Sequence, residues 1–252
     1  MDTATIPDPS GPIVPWDHVI NRINALRRSL LWVVAALLLG TASGWSVADQ
    51  VFNFLAAPLT TALANAARDP RLAFTNLSDP FIIYFSVSML LGLLLALPVI
   101  MSLFWRVVAP LDLGRGAAKA AVFAFASSVL FLVGLAFGYW VLLPFVVRYL
   151  LRVAEEFRYA VTIREYLRFA LRMLIAMGIS AQLPLMSFVL ARFGLVTARR
   201  LLRWLPYAVL VAFVLAAVIT PPDGISQLLV AIPMLVLYLL GVVVAALATP
   251  RN

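Results

Sequence analysis

The chain has 252 residues, 64% of them hydrophobic and only 12% charged, with 19 Lys and Arg against 11 Asp and Glu and a formal net charge of +8. A mean hydropathy of +1.03 excludes a water-soluble domain built around one core, because so much apolar surface has to face lipid. The absence of Cys, and a single His, His18, beside the N-terminal tail, exclude disulfides, thiol redox chemistry, iron–sulfur ligation and any His pair for a metal. No cofactor, no metal and no nucleic-acid partner is expected.

Residues 1–15 carry Pro7, Pro9, Pro12 and Pro15 without a helical period and read as a disordered cytoplasmic tail. Six charge-free stretches follow, at 29–48, 80–105, 120–147, 173–191, 204–222 and 224–250. Each is long enough, or nearly so, to cross ~30 Å of hydrocarbon as a helix rising ~1.5 Å per residue. The predicted architecture is therefore all-α: a polytopic membrane domain of six transmembrane helices over 16–248, with a short cytoplasmic tail at 249–252. Arg27-Arg28 followed by an apolar run and the small residues "GTASG" (40–44) has the makings of a cleavable export signal. With five more spans downstream it reads better as a positive-inside anchor.

An even number of spans puts both termini on one side. With that side cytoplasmic, the inner segments hold 11 of the 19 basic residues and a net charge of +7, whereas the outer ones hold 8 and net +1; this asymmetry predicts N-in and C-in. The expected localisation is the cell inner membrane, multi-pass.

Within the spans the informative residues are prolines and a few polar groups. Pro98, Pro184 and Pro233 lie inside spans and Pro144 is expected to end one, each removing a backbone donor and bending or terminating its helix. Ser127 and Ser128 have no His or Lys at membrane depth to activate them, so helix packing through small side chains is their expected role. Gln182, in "SAQLP", is the deepest polar group of the fourth span. A partner helix or an internal hydrogen bond are both adequate ways to satisfy its amide. The outer connection "RYLLRVAEEFRYAVTIREYLRFALR" (148–172) alternates charge and apolar residues at helical spacing. Over 145–165 it predicts an outer amphipathic cap leading into the fourth span, with Arg152 and Glu156 at i,i+4. Arg164, Arg168 and Arg172 form a stripe that fits arginines reaching the outer headgroups. The fifth span, Pro206 to Thr220, is only ~22 Å long as a helix. The turn "TPPDG" after it has Pro221 and Pro222 to stop one helix and Asp223 and Gly224 to turn the chain so that Ser226 starts the next.

The segments "DPFIIYFSVSMLLGLLLALPVIMSLFWRVVAPL" (79–111), "SSVLFLVGLAFGYWVLLP" (127–144), "TIREYLRFALRMLIAMGISAQLPLMSFVLARFGLVT" (162–197) and "ITPPDGISQLLVAIPMLVLYLLG" (219–241) resemble TatC, the polytopic subunit of the twin-arginine protein translocase. The likeness covers roughly 18–248. Its most specific pieces are "AAPL" (56–59) in the first outer loop, "VAP" (108–110), "FGYWVLLP" (137–144) and "TPPD" with Ser226 and Gln227, strong in this order with six spans. The resemblance implies a cupped six-helix protein with an outer cap and no catalysis. It implies a receptor that binds the signal peptides of folded export cargo at the cytoplasmic face, assembles with single-span TatA/TatB-like partners as an oligomer in the bilayer, and uses the proton-motive force.

Three acids expected from the family are absent. Ala25 stands where a glutamate precedes a basic residue, with Arg27 retained; Gly116 stands where a second falls in "APLDLGRGAAK"; and Gln182 replaces the glutamate of the fourth span. Carboxylates are the natural bidentate partners of two guanidinium groups. Asp112 and Asp17 are the nearby acids able to substitute. By resemblance, Ala25, Arg27, Asp112 and Gly116 mark the signal-peptide face, Gln182 a partner-helix contact, and Pro221, Pro222, Asp223 and Gln227 an outer-face turn. The alternatives are a non-receptor paralogue in a paired translocase complex and, from another class, a small-solute transporter or channel.

Overall fold

A computed structural model of the chain describes residues 16–65, 76–108, 117–153, 162–220 and 223–248, without the side chains of 16–26, 65, 106–108 and 117–120. The proposed tails, 1–15 and 249–252, lie outside the described residues. The first apolar stretch is the second half of α1 (Trp16–Trp45), followed after a short turn by α2 (Ala48–Asn65). The second forms α3 (Asp79–Val108). The third is α4 (Ala117–Phe137), a π-helical turn (Gly138–Leu142) and α5 (Leu143–Val153). The fourth is broken into α6 (Ile163–Ser180) and α7 (Leu183–Arg192); α8 (Ala198–Arg203), α9 (Leu205–Ile219) and α10 (Gly224–Ala248) complete the chain.

Among the described residues, five stretches, 27–45, 79–105, 121–153, 163–192 and 224–248, are long and apolar enough to cross a membrane. The 15 residues of α9 reach only ~22 Å, so the bilayer has to thin around it or polar cover must shield its end. Large apolar side chains point outward from every span, among them Leu39, Phe125, Leu210 and Leu247, a surface that only lipid accommodates.

The core lies between α2, α3, α5, α6, α9 and α10, around the fully buried Leu143, Val146, Ile163, Met173, Leu174, Met177 and Val230. By contrast, α1 contributes little to that core and lies along α3 instead. A Cβ on Gly40 would stand 2.7 Å from Gly92 Cα, and one on Gly92 2.8 Å from Leu37 O, so the two backbones touch where small residues allow it. The same device joins α4 to the α6–α7 break, where a Cβ on Gly134 would be 2.6 Å from both Ala181 Cβ and Met177 O.

Two expectations are corrected. Pro144 does not end the third span: the chain widens into the π-helical turn, Leu143 N–H bonds Gly138 O, and the helix continues through Pro144 to Val153. The wider turn accommodates a residue that has no N–H and whose ring would press on the preceding turn. Nor does the amphipathic helix lead unbroken into the fourth span. α5 is amphipathic, burying Val146, Val147 and Leu151 while Arg148 and Arg152 are exposed, yet it is the far end of the third span. Residues 154–161, with Glu156, lie outside the described residues, and α6 starts afresh after an extended Thr162. The cap consists of α5 together with α2, which packs on α5 and α3. The end of the bundle they cover is called the cap end below.

Candidate functional site

The deepest polar site is the break in the fourth span. Pro184 sits in the first turn of α7 and has no N–H, so the ladder is interrupted; Gln182 N–H bonds Ile179 O at 3.0 Å in a tightened turn, and Gln182 O restarts the ladder by accepting from Met186 N–H at 2.9 Å. The Gln182 side chain reaches across to α4, where Nε2 donates to Ser127 O at 3.0 Å and Ser127 Oγ donates to Oε1 at 2.5 Å. Ser127 Oγ also lies 3.2 Å from Met101 Sδ on α3. One hydroxyl proton goes to the better acceptor, the amide oxygen, leaving the thioether a secondary contact. Three spans thus meet at one amide. Ser127 does more here than the packing expected of it, and Gln182 keeps one N–H and one lone pair for anything that docks against it.

At the cap end, a second polar arrangement fastens α2. Pro58 lies inside α2, so the Phe54 carbonyl, four residues before it, has no ladder donor. Tyr139 in the π-helical turn supplies one, its hydroxyl donating to Phe54 O at 2.6 Å, while the two rings stack with centroids 4.2 Å apart. Tyr166 of α6 donates to Leu55 O at 2.7 Å. Tyr84 donates to the Asp49 carboxylate near the start of α2. None of these three hydrogen bonds was anticipated; Pro58 within "AAPL" was the available signal, since it frees a carbonyl that something else must satisfy.

The turn after α9 also lies at the cap end. Thr220 closes α9 through its hydroxyl to Ala216 O at 2.9 Å. Asp223 precedes α10 as its N-cap, accepting from Ser226 N–H at 3.0 Å and from the Ser226 hydroxyl. The helix begins at Gly224, so Ser226 is its third residue rather than its first. Gln227 Nε2 donates to Phe213 O at 2.8 Å, tying α10 to α9. Pro221 and Pro222 lie outside the described residues.

Of the arginine stripe, Arg164 is paired rather than free. Its Nη1 lies 3.1 Å from the Oδ1 of Asp79, a carboxylate fully buried at the start of α3, whose other oxygen accepts from Asn76 N–H at 3.0 Å. Of the residues that the resemblance assigns to a signal-peptide face, Arg27 is exposed on α1. The side chain of Ala25 lies outside the described residues, as do Asp112 and Gly116. No group of His, Cys, Asp or Glu able to hold a metal occurs among the described residues.

The family model for the Sec-independent protein translocase protein TatC matches residues 21–233. Curated relatives include the Sec-independent protein translocase protein TatC of Koribacter versatilis, 33% identical over 92% of this chain and 86% of its own length. Another is TatCy of Bacillus subtilis, 31% identical over 91% of this chain and 89% of its own. The crystal structure of a twin-arginine translocase receptor TatC superposes with a TM-score of 0.80 at 29% identity, covering 90% of this chain and 99% of the other. The overall arrangement of helices is thus held in common with that solved receptor. The chain belongs to the TatC family: it is a multi-pass inner-membrane subunit of the twin-arginine protein translocase.

Proposed function

We propose that this subunit docks the signal peptides of folded export cargo on the cytoplasmic side, at the end of the bundle opposite the cap, with both termini on that side. It assembles there with single-span TatA/TatB-like partners and works under the proton-motive force. The observation that carries the reading is the match over nine-tenths of the chain to a solved receptor of this family. The excess of basic residues on the segments away from the cap supports the orientation. Gln182 remains the candidate contact for a partner helix, through the donor and acceptor that its bond to Ser127 leaves over.

A second reading, a non-receptor member of a paired complex, is favoured by one observation: Ala25 and Gly116 offer no acceptor to a guanidinium where the resemblance expects carboxylates. Complementation of a strain lacking its own TatC, scored by export of a folded reporter carrying an Arg-Arg signal, tests both. Export by this chain alone supports the receptor. Export only when a second TatC-like protein is supplied supports the paired complex, and failure in both cases refutes the proposal.

A further inference from the structure

Between α3 and α6, near the cap end, lies a groove of about 170 Å³ lined on its polar side by Arg164, Arg168, Arg172 and Ser86, and on its apolar side by Ile82, Leu171 and Ile175 among others. We propose that this groove binds the phosphate headgroup of an anionic phospholipid from the leaflet at the cap end.

The charge balance is the first argument. Asp79 pairs with Arg164; Arg168 and Arg172 are exposed, and no ion pair joins either to a carboxylate among the described residues. Glu165, beside Arg164 in the chain, does not line the groove. Among the described residues, two positive charges therefore line the groove without an ion-pair partner, and the buried Arg164 Nε–H has no acceptor. Guanidinium forks and phosphate oxygens are matched in charge and geometry.

Depth is the second argument, and it distinguishes a lipid from other anions. The charge-free run that follows Arg172, residues 173–191, is ~29 Å long as a helix, the thickness of the hydrocarbon layer. Arg172 therefore stands at the hydrocarbon edge, with Arg168 and Arg164 one and two turns higher. Helical side chains lean toward the N-terminus, which for α6 is the cap end, so the guanidinium groups reach into the headgroup layer. Below them, Leu171, Ile175 and Ile82 offer an apolar wall along which an acyl chain can run. The volume is well under the ~300–1,000 Å³ of pockets that enclose a whole small molecule, and fits a headgroup whose tails remain in the bilayer.

The test is a titration of the full chain, delipidated in a neutral detergent, with phosphatidylglycerol, phosphatidylcholine and inorganic phosphate. Binding is followed by native mass spectrometry and by the shift in Tm. Phosphatidylglycerol is expected to bind and raise Tm, and phosphatidylcholine not to. R168Q/R172Q, which removes two charge-assisted contacts, should weaken phosphatidylglycerol binding about tenfold or more. R168K/R172K, which keeps the charge and loses the fork, should fall between the two and serves if the glutamine variant does not fold. R199Q/R203Q, with the same charge removed from exposed positions of α8, should bind as the unaltered chain does. Equal weakening in R168Q/R172Q and R199Q/R203Q would reduce the effect to net charge and overturn the site. Stabilisation by inorganic phosphate that matches phosphatidylglycerol would overturn the lipid assignment, and equal binding of phosphatidylcholine would overturn both.

Discussion

Replacing Tyr139 by Phe keeps the ring stacked on Phe54 and removes one oxygen, so its effect isolates a single hydrogen bond. In an unbroken helix the loss would be small, because Phe54 O would retain the N–H of residue 58. Residue 58 is proline, so in this chain the carbonyl keeps no backbone donor once the 2.6 Å bond from Tyr139 is gone. An acceptor left unsatisfied away from water costs about 1–3 kcal/mol, against about 0.5–1.5 kcal/mol for a bond whose partner finds a substitute; the Tyr139–Phe54 bond is part-buried, which places it at the lower end of the first range. Tyr139→Phe should therefore destabilise by about 1–2 kcal/mol, and the same change in a Pro58→Ala background should cost about 0.5–1 kcal/mol less, a coupling readable in a double-mutant cycle. Tyr166→Phe provides the internal contrast. Four residues after Leu55 stands Leu59 rather than a proline, so Leu55 O has a backbone N–H available without the tyrosine, and the loss should fall in the lower range. Unfolding in detergent followed by far-UV circular dichroism gives the free energies, and amide hydrogen exchange over residues 48–65 reports whether α2 loosens. Equal costs for Tyr139→Phe with and without Pro58 would refute the claim that the tyrosine substitutes for a missing backbone donor.

At the α1–α3 crossing, Gly92→Ala should destabilise by about 1–3 kcal/mol, because its Cβ would meet not only the Thr41 hydroxyl but also, at 2.8 Å, the backbone of Leu37 and Thr41, which cannot turn away; Tm and the yield of monodisperse protein measure it. Gln182→Leu and Ser127→Ala should be non-additive by about 0.5–2 kcal/mol, since each removes the same bond; strict additivity in thermal unfolding would show the pair to be incidental. Asp223→Asn should leave stability nearly unchanged while Asp223→Ala costs about 0.5–2 kcal/mol through the lost cap, and a fall in export from the Asn variant at normal protein level would assign its charge a role beyond capping. Reporter fusions at 60 and 155 should read outside and those at 115 and 198 inside, with an outside signal at 198 sinking the orientation.

The spans were legible because hydrocarbon enforces a rule that a linear sequence displays: about 20 apolar residues without charge. Five of the six charge-free stretches contain or overlap a helix long enough to cross, and the sixth is the short α9. The cap was legible only in part. The amphipathic face of α5 shows in the spacing of Arg148 and Arg152, but α2 does not, because Pro58 and the amides and hydroxyls of Gln50, Asn53, Thr60 and Thr61 give it the composition of a loop. What makes it a helix on the bundle is Tyr139 and Tyr166, 85 and 111 residues away from the carbonyls they bind. No local pattern contains that pairing.

The same division holds for the polar sites. Gln182 and Gln227 are conspicuous because an amide near hydrocarbon must be satisfied, yet the sequence does not say by what. Their partners, Ser127 on α4 and Phe213 O on α9, are set by which helices adjoin, and that depends on close approaches such as Gly134 on Ala181. The interruptions themselves supply the remaining logic. Pro58 and Pro184 each remove a ladder donor; at Pro58 the hydroxyl of Tyr139 donates to the freed Phe54 carbonyl, whereas near Pro184 the Ser127 hydroxyl bonds the Gln182 side chain. A proline in a membrane helix thus exposes polar backbone that neighbouring side chains can satisfy. The position of the break is readable from sequence, whereas the identity of the donor emerges only from the packed bundle.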